Sequence, residues 1–392
     1  MSAVFFTGHM VDRPGRAVAR FPQSWVPRLA QRIATEVAAC KVSEGFASAA
    51  CGGDILFLEA TIAGGGRAHV TLPCKADEFR KDCVDVIPGA DWAARFDRLL
   101  EKAASVEILG NQYASDNAAA SECCNRIMIG LAARAALARG EQALVLALWD
   151  GRPGDAMGGT ESAVQFSLQQ GFPVRWMQDL SPGGASETRE VPPLAPGTSS
   201  AIRHETALRE APQEIRAVVF ADAVGFSKLG ERDVPAFVRH YLGCAMQAMQ
   251  AQAIVPLVKN TWGDGLYLVF ESVRDAGVFA LAFRDLIVAT DWQRLGISQS
   301  PSVRIGAHAG PLYRIYDAVL GQWSYVGSHV TRTARLEPSV DPGKVFASLA
   351  FVALAAAERV SEFSSSAVGR RQLIKDAGEL AVFELHGAGP AR

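Results

Sequence analysis

The stretch VVFADAVGFSKLGE, residues 218–231, decides how the second half of the chain is read. An apolar run ends on a lone carboxylate, Asp222, followed by a small residue, Gly225-Phe226-Ser227 and the expected start of a helix. A charge at the end of a buried strand is costly unless a lysine, a helix N-terminus or a metal ion meets it. A second carboxylate, Asp264, sits in the turn Gly263-Asp264-Gly265, between apolar runs at 253–261 and 265–272. Two carboxylates held close repel, and one stays protonated unless cations lie between them. Oxygen ligands at strand ends suit Mg²⁺, which keeps waters and takes carboxylates together with phosphate oxygens. The rival reading makes Asp222 a helix cap near Gly225 and Asp264 a turn residue. Taken together, the two residues favour a metal.

Outward from this stretch, residues 216–223 read as a strand and 233–252 as a helix, followed by the hairpin and a second helix over 273–289. Strands over 302–310 and 323–327, a helix over 328–337 and a last strand over 380–385 follow, while the apolar run 345–357 reads as a buried helix. Two βαβ-type passes around antiparallel hairpins predict an α+β sandwich of ferredoxin-like kind.

The first half alternates apolar runs (3–8, 46–51, 68–73, 105–110, 143–150, 173–178) with segments of 3.6-residue periodicity. Continuous apolar strands alternating with helices predict a parallel sheet covered on both faces. Residues 181–213 are rich in Pro, Gly, Ser and charge, and read as a linker with a short helix near 203–210. The expected division is therefore 1–180, a linker over 181–213, and 214–387.

With 49% hydrophobic and 20% charged residues, the 392-residue chain has ample core for two domains. A net charge of −2 offers no electrostatic footprint for nucleic acid or an anionic membrane. No apolar run reaches the ~18 residues of a bilayer span. The seven cysteines have no zinc-like spacing and read as buried hydrophobes in a reducing compartment. No signal peptide is evident, so a cytoplasmic location is expected.

Five blocks now carry a resemblance: FADAVGFSKL (220–229), VKNTWGDGLYLVF (258–270), VRIGAHAGPL (303–312), YVGSHVTRTARLE (325–337) and LIKDAGELAVFEL (373–385). In this order they resemble the catalytic domain of class III nucleotidyl cyclases. The resemblance implies that a nucleoside triphosphate is closed to a 3′,5′-cyclic mononucleotide with loss of pyrophosphate. Two Mg²⁺ or Mn²⁺ ions per active site would serve this displacement. By the same resemblance Asp222, Asp264 and the Ala223 carbonyl seat the metals, and the backbone of Phe226 and Ser227 helps hold phosphates. Arg335 matches the arginine that stabilises the charged phosphorus centre, and Lys375 the lysine on the phosphates. The family's ribose-side asparagine falls on Thr331. His308 matches a frequent position and reads as structural. Because family members draw the metal aspartates and the other site residues from opposite subunits, a homodimer with composite sites is implied.

The two positions that read the base in this family fall on Asn260 and Ser324, which match neither the adenine nor the guanine pattern. An asparagine amide offers both a donor and an acceptor, which suits uracil or cytosine and leaves adenine open. Trp262, Trp323 and Tyr325 would narrow the pocket or serve as core. Such departures are similar to those of bacterial pyrimidine cyclases that make cyclic UMP or cyclic CMP in anti-phage signalling. The alternatives are an adenylate cyclase and a degenerate module that only binds nucleotide.

In the first half, Gly52-Gly53-Asp54 and Gly158-Gly159-Thr160 follow strands, where backbone amides can approach a phosphate. This half resembles the Rossmann-like SLOG superfamily, which implies a sensor for a nucleotide-like ligand. His9, Arg13 and Arg16 are candidate contacts, and a scaffold is the rival reading. Only GGTES remains of the hydrolase signature of that superfamily.

Overall fold

The computed structural model describes residues 2–110, 118–152, 158–178, 180, 188–192, 213–226, 229–297, 300–374 and 378–388. Ser227, Lys375 and the short helix expected near 203–210 lie outside the described residues. The chain divides into two compact units, Met1–Thr206 with Ala356–Arg359, and Ala207–Ala355 with Val360–Arg392.

The first unit runs β1 (Ser2–Gly8), α1 (Val26–Ala39), β2 (Val42–Ala47), α2 (Gly53–Ala63), β3 (Arg67–Leu72), α3 (Ala76–Phe79) and α4 (Trp92–Lys102). It continues through β4 (Ser105–Ile108), α5 (Ala118–Leu137), β5 (Leu144–Leu148), α6 (Thr160–Gln169), β6 (Val174–Met177) and β7 (Thr188–Val191). The strands lie in the order β4-β3-β2-β1-β5-β6-β7. All neighbours are parallel except β6 and β7. Strand alternation explains why β1 is apolar without a break from Ala3 to Phe6: Val4 and Phe6 enter a core with Ile55 and Phe57, whereas Ala3 and Phe5 enter another with Met128 and Ile129. Gly52, at φ +102°, is required before α2, because a Cβ there would lie 2.8 Å from the Val11 nitrogen.

β7 falls inside the segment read as a linker. It gains little from burial and is held by antiparallel pairing to β6 and by polar links. Thr188 Oγ1 donates to Glu36 at 2.6 Å, and Glu190 pairs with Arg175 at 2.7 Å. Composition is blind to such a strand.

The second unit runs β8 (Gln213–Val224), α7 (Val234–Ala251), β9 (Val258–Trp262), β10 (Gly265–Phe270), α8 (Val273–Ala289) and β11 (Ser302–Asp317). It ends with β12 (Gln322–Val326), α9 (Ser328–Leu336), β13 (Val345–Ser348), α10 (Leu349–Ala357), β14 (Phe363–Gln372) and β15 (Glu379–Gly387). The sheet order is β14-β15-β13-β11-β8-β10-β9, with β12 paired to β11. Its antiparallel β11-β8-β10-β9 core, with α7 and α8 as the two connections, is the ferredoxin-like arrangement the sequence predicts. Ser272 caps α8 by accepting the Asp275 amide at 3.1 Å.

The expected helix over 233–252 is α7, which starts at Val234 with Asp233 at its N-cap, and Asp222 is a residue of β8. One expectation changes. The run 345–357 is a strand followed by a helix, with the turn set at Ser348, whose hydroxyl accepts the Phe351 amide at 3.2 Å.

Register fixes the working face of this sheet. Val218, Phe220 and Asp222 alternate onto one face of β8, opposite His308, Gly306 and Arg304 of β11. Val218, Tyr267, Val269, Leu312 and Tyr325 form a small core there, with Val330 of α9 packed on it. Gly306 and Gly310 let α9 approach closely: a Cβ on the first would lie 3.0 Å from the Glu337 backbone, and one on the second would collide with the His329 ring. α8 covers the other face, where Phe279 packs on Phe270 at 5.4 Å.

Candidate active site

Asp222 stands two residues from the end of β8, and Asp264 in the turn between β9 and β10. Leu266 pairs with Ala221, which carries Asp264 alongside Ala223 and Asp222. The two carboxyl groups come within hydrogen-bonding reach, and the Ala223 amide donates to Asp264. Burial first, and then the charge of Asp222, pushes the Asp264 carboxyl up to about 6.

A feature missed in the sequence meets this pair. Arg304, directly across from Asp222 in the ladder, donates to its Oδ2 at 2.8 Å. Its Nε lies 3.1 Å from Glu337 Oε1 as a charge contact without hydrogen-bond alignment. Burial pushes Glu337 up to about 7; Arg304 opposes this, and Asp222 and Asp264 add to it. The pairing comes from the register of β11 against β8, which neither strand shows alone. Under the cluster, the buried Tyr241 hydroxyl has no hydrogen-bond partner among the described residues, and its pKa is raised by burial and then by Asp222, Asp264 and Glu337.

The arrangement can be tested against the metal ions implied by the resemblance. Among the described residues no group of three or more His, Cys, Asp or Glu forms a closed metal cage. Two adjoining carboxylates, one of them raised by burial and then by the other's charge, are a donor set that a divalent oxygen-seeking cation fits, with phosphate oxygens completing its shell.

Arg335 is half-buried on α9 and has no hydrogen bond or ion pair among the described residues. The acids that could have claimed it are engaged elsewhere, Glu337 by Arg304 and Asp341 by Arg371 at 3.3 Å. Thr331 is exposed one turn earlier, its hydroxyl 3.4 Å from the Gly327 carbonyl of its own helix. Phe226 packs its ring on Phe237 at 5.4 Å. Asn260 is half-buried on β9, and Ser324, on β12, is 6% exposed. Of the aromatic residues expected to narrow the pocket, Tyr325 is committed to the core with its hydroxyl on Glu214 at 2.6 Å. Trp323 lies under Arg314, and Trp262 is largely exposed.

His308 is structural in a specific way. It is fully buried, with Nδ1 2.6 Å from Ser348 Oγ and Nε2 2.8 Å from His329 Nδ1, which ties β11 to α9. Burial holds both imidazoles neutral and, with the Arg332 charge, brings His329 down to about 3.

In the first unit, the strand order reverses between β1 and β5, and His9 and Asp150 follow those strands. His9 Nε2 lies 3.1 Å from Asp150, and Arg20 grips the same carboxylate at 2.6 and 2.8 Å. Burial works against the charge, yet the Arg20 guanidinium holds Asp150 down at about 2. The other two candidate contacts are also engaged internally, Arg13 on the Asp82 carbonyl at 2.7 Å and Arg16 beside Asp12 at 3.5 Å.

No protein-family model and no curated protein matches the sequence. Among solved structures, the chain is similar to the guanylate cyclase domain of RhGC from Catenaria anguillulae in complex with GTP, at 19% identity over 45% of this chain and 98% of that one, TM-score 0.39. It is similar to the adenylyl cyclase CyaB from P. aeruginosa at 16% identity over 47% of this chain and 98% of that one, TM-score 0.40. Adenylate cyclases from Trypanosoma brucei match at 18% identity over 47% of this chain and 94% of theirs, TM-score 0.39. Among the described residues no helix is long and apolar enough to cross a membrane.

Proposed function

We propose that the second unit is a nucleotidyl cyclase that converts a pyrimidine nucleoside triphosphate, UTP or CTP, to its 3′,5′-cyclic monophosphate and pyrophosphate. The observation that carries this reading is the Asp222–Asp264 carboxyl pair at adjoining strand ends. Mg²⁺ or Mn²⁺ bound there would lower the pKa of the attacking 3′-hydroxyl and neutralise the triphosphate. Asp222 and Asp264 hold the cations, and Arg304 keeps the Asp222 carboxylate turned toward its neighbour. Arg335, uncommitted to any acid among the described residues, is free to meet charge developing on the phosphorus centre and its leaving oxygens. Lys375 and the backbone at Phe226 and Ser227 are assigned to the phosphates by resemblance, and Thr331 to the ribose side. Asn260 and Ser324 read the base. A short donor–acceptor edge without lysine, glutamate or aspartate supports a pyrimidine.

In this reading the enzyme is a homodimer in which the acidic pair of one subunit faces the base readers and Arg335 of the other. Apolar side chains exposed around the β11–β12 hairpin, among them Tyr316, Val319, Leu320 and Trp323, are consistent with a covered surface. The cyclic product would serve as a signal, as in anti-phage pyrimidine cyclases, and the first unit would sense a nucleotide-like ligand. The test is purified full-length protein with Mn²⁺ and each of the four nucleoside triphosphates. A cyclic pyrimidine nucleotide as main product is expected; cyclic AMP as main product would overturn the pyrimidine assignment.

A further inference from the structure

Resting on Asp222 and Asp264 as the cation ligands, we propose that Glu337 is a positioning residue for that site. It draws the Arg304 guanidinium away from Asp222 and so frees the charge of that carboxylate for a divalent cation. A guanidinium and a metal ion compete for one carboxylate, because each is a positive charge that the carboxylate neutralises. Arg304 holds Asp222 Oδ2 at 2.8 Å. The cation affinity of the acid pair therefore depends on where else Arg304 can go.

Among the described residues a second acid stands within its reach. Arg304 Nε lies 3.1 Å from Glu337 Oε1, yet both atoms are buried without a hydrogen-bond partner among the described residues. Buried polar atoms left unpaired are costly. Here a donor and an acceptor at bonding distance stay unspent through misalignment. A guanidinium presents its donors in a fixed fork, so turning Nε onto Glu337 swings Nη2 off the Asp222 oxygen. One bond forms as the other is released.

The backbones on either side are held in place during this exchange. Arg304 sits on β11, which is flanked by β8 and β13. Glu337 is seated over Gly306, where a Cβ would lie 3.0 Å from its backbone, and its carbonyl accepts the Val340 amide at 2.9 Å. Arg304 and Gly306 are two residues apart on one strand and share a face. The moving part is the arginine side chain. Asp222 is 34% exposed and Glu337 12%, so a cation arriving from solvent meets the open acid while the arginine withdraws to the covered one.

The experiment measures Mn²⁺ binding to the full chain by electron paramagnetic resonance of the free ion, with the Asp222→Asn/Asp264→Asn double variant as the blank. It is run at about pH 8, where Glu337 carries its charge. Glu337→Gln keeps the shape and removes the charge. It is expected to weaken Mn²⁺ binding about tenfold, the scale of one hydrogen bond to a charged group, and Glu337→Asp to recover part of the loss. The same change in an Arg304→Gln background is expected to have little effect, because the exchange needs the arginine. A plain field effect of the Glu337 charge would instead act equally in both backgrounds. Should Arg304→Gln not fold, Arg304→Lys replaces it: an ammonium lacks the fork, and the coupling should again shrink. Parent binding no tighter than the blank would overturn the cation reading of the acid pair and this inference with it. Parent binding above the blank, with Glu337→Gln lowering only the melting temperature or weakening Mn²⁺ equally with and without Arg304, would overturn this inference alone.

Discussion

Asp54 is fully buried at the start of α2, its carboxylate accepting from the Ser48 hydroxyl at 2.6 Å and the Ala50 amide at 3.3 Å. These bonds do not offset desolvation, and burial pushes the carboxyl up to about 6. Because the folded state binds this proton more tightly than the unfolded chain, the contribution to stability is complete below ~pH 4 and is lost as pH rises through about 6. At neutral pH the buried charge then costs on the order of 3 kcal/mol. Asp54→Asn keeps an acceptor for Ser48 and removes the charge. Thermal denaturation should find the variant close to the parent near pH 4 and more stable by a few degrees at pH 8. The same scale shows what was legible at the site. Asp222 and Asp264 could be singled out because an acid at the end of an apolar strand needs a reason. Arg304 and Glu337 could not, because their importance lies in register across the sheet, which one strand does not reveal.

Among the elements, α9 carries two residues assigned to the proposed site, Thr331 and Arg335, and its seat on the sheet is a hydrogen bond between two buried imidazoles. Replacing His329 by Ala strands the His308 Nε2 in an apolar setting and should cost about 1–3 kcal/mol by urea unfolding. His329→Asn, which can put an amide atom near the lost Nδ1, should recover part of that. Arg335 sits on the same helix, so turnover should fall with the anchor even though neither imidazole touches substrate. Most elements were readable from periodicity; α8 was expected over 273–289 and spans Val273–Ala289. The misses share a physical cause. β7 and β14 are polar strands stabilised by pairing rather than burial, and β13–α10 is an unbroken apolar run in which only Ser348 marks the change of period.

At the scale of the whole molecule, the composite-site reading makes a demand that a self-contained subunit does not. Asp222→Asn/Asp264→Asn chains and Arg335→Ala chains should each be inactive alone. Mixed and allowed to exchange, they should recover about a quarter of parental activity, since half the dimers are mixed and each holds one intact site of two. A folded mixture that stays inactive would argue for sites built within one chain. The most direct measurement of the central claim is the conversion of nucleoside triphosphate to cyclic nucleotide and pyrophosphate by the full-length protein with Mn²⁺, beside the Asp222→Asn/Asp264→Asn double variant. The account predicts cyclic product from the parent and a loss of at least about a hundredfold in the variant, as for removal of a principal electrostatic element. Equal turnover in the two proteins, or no cyclic product from any of the four nucleotides, would contradict it.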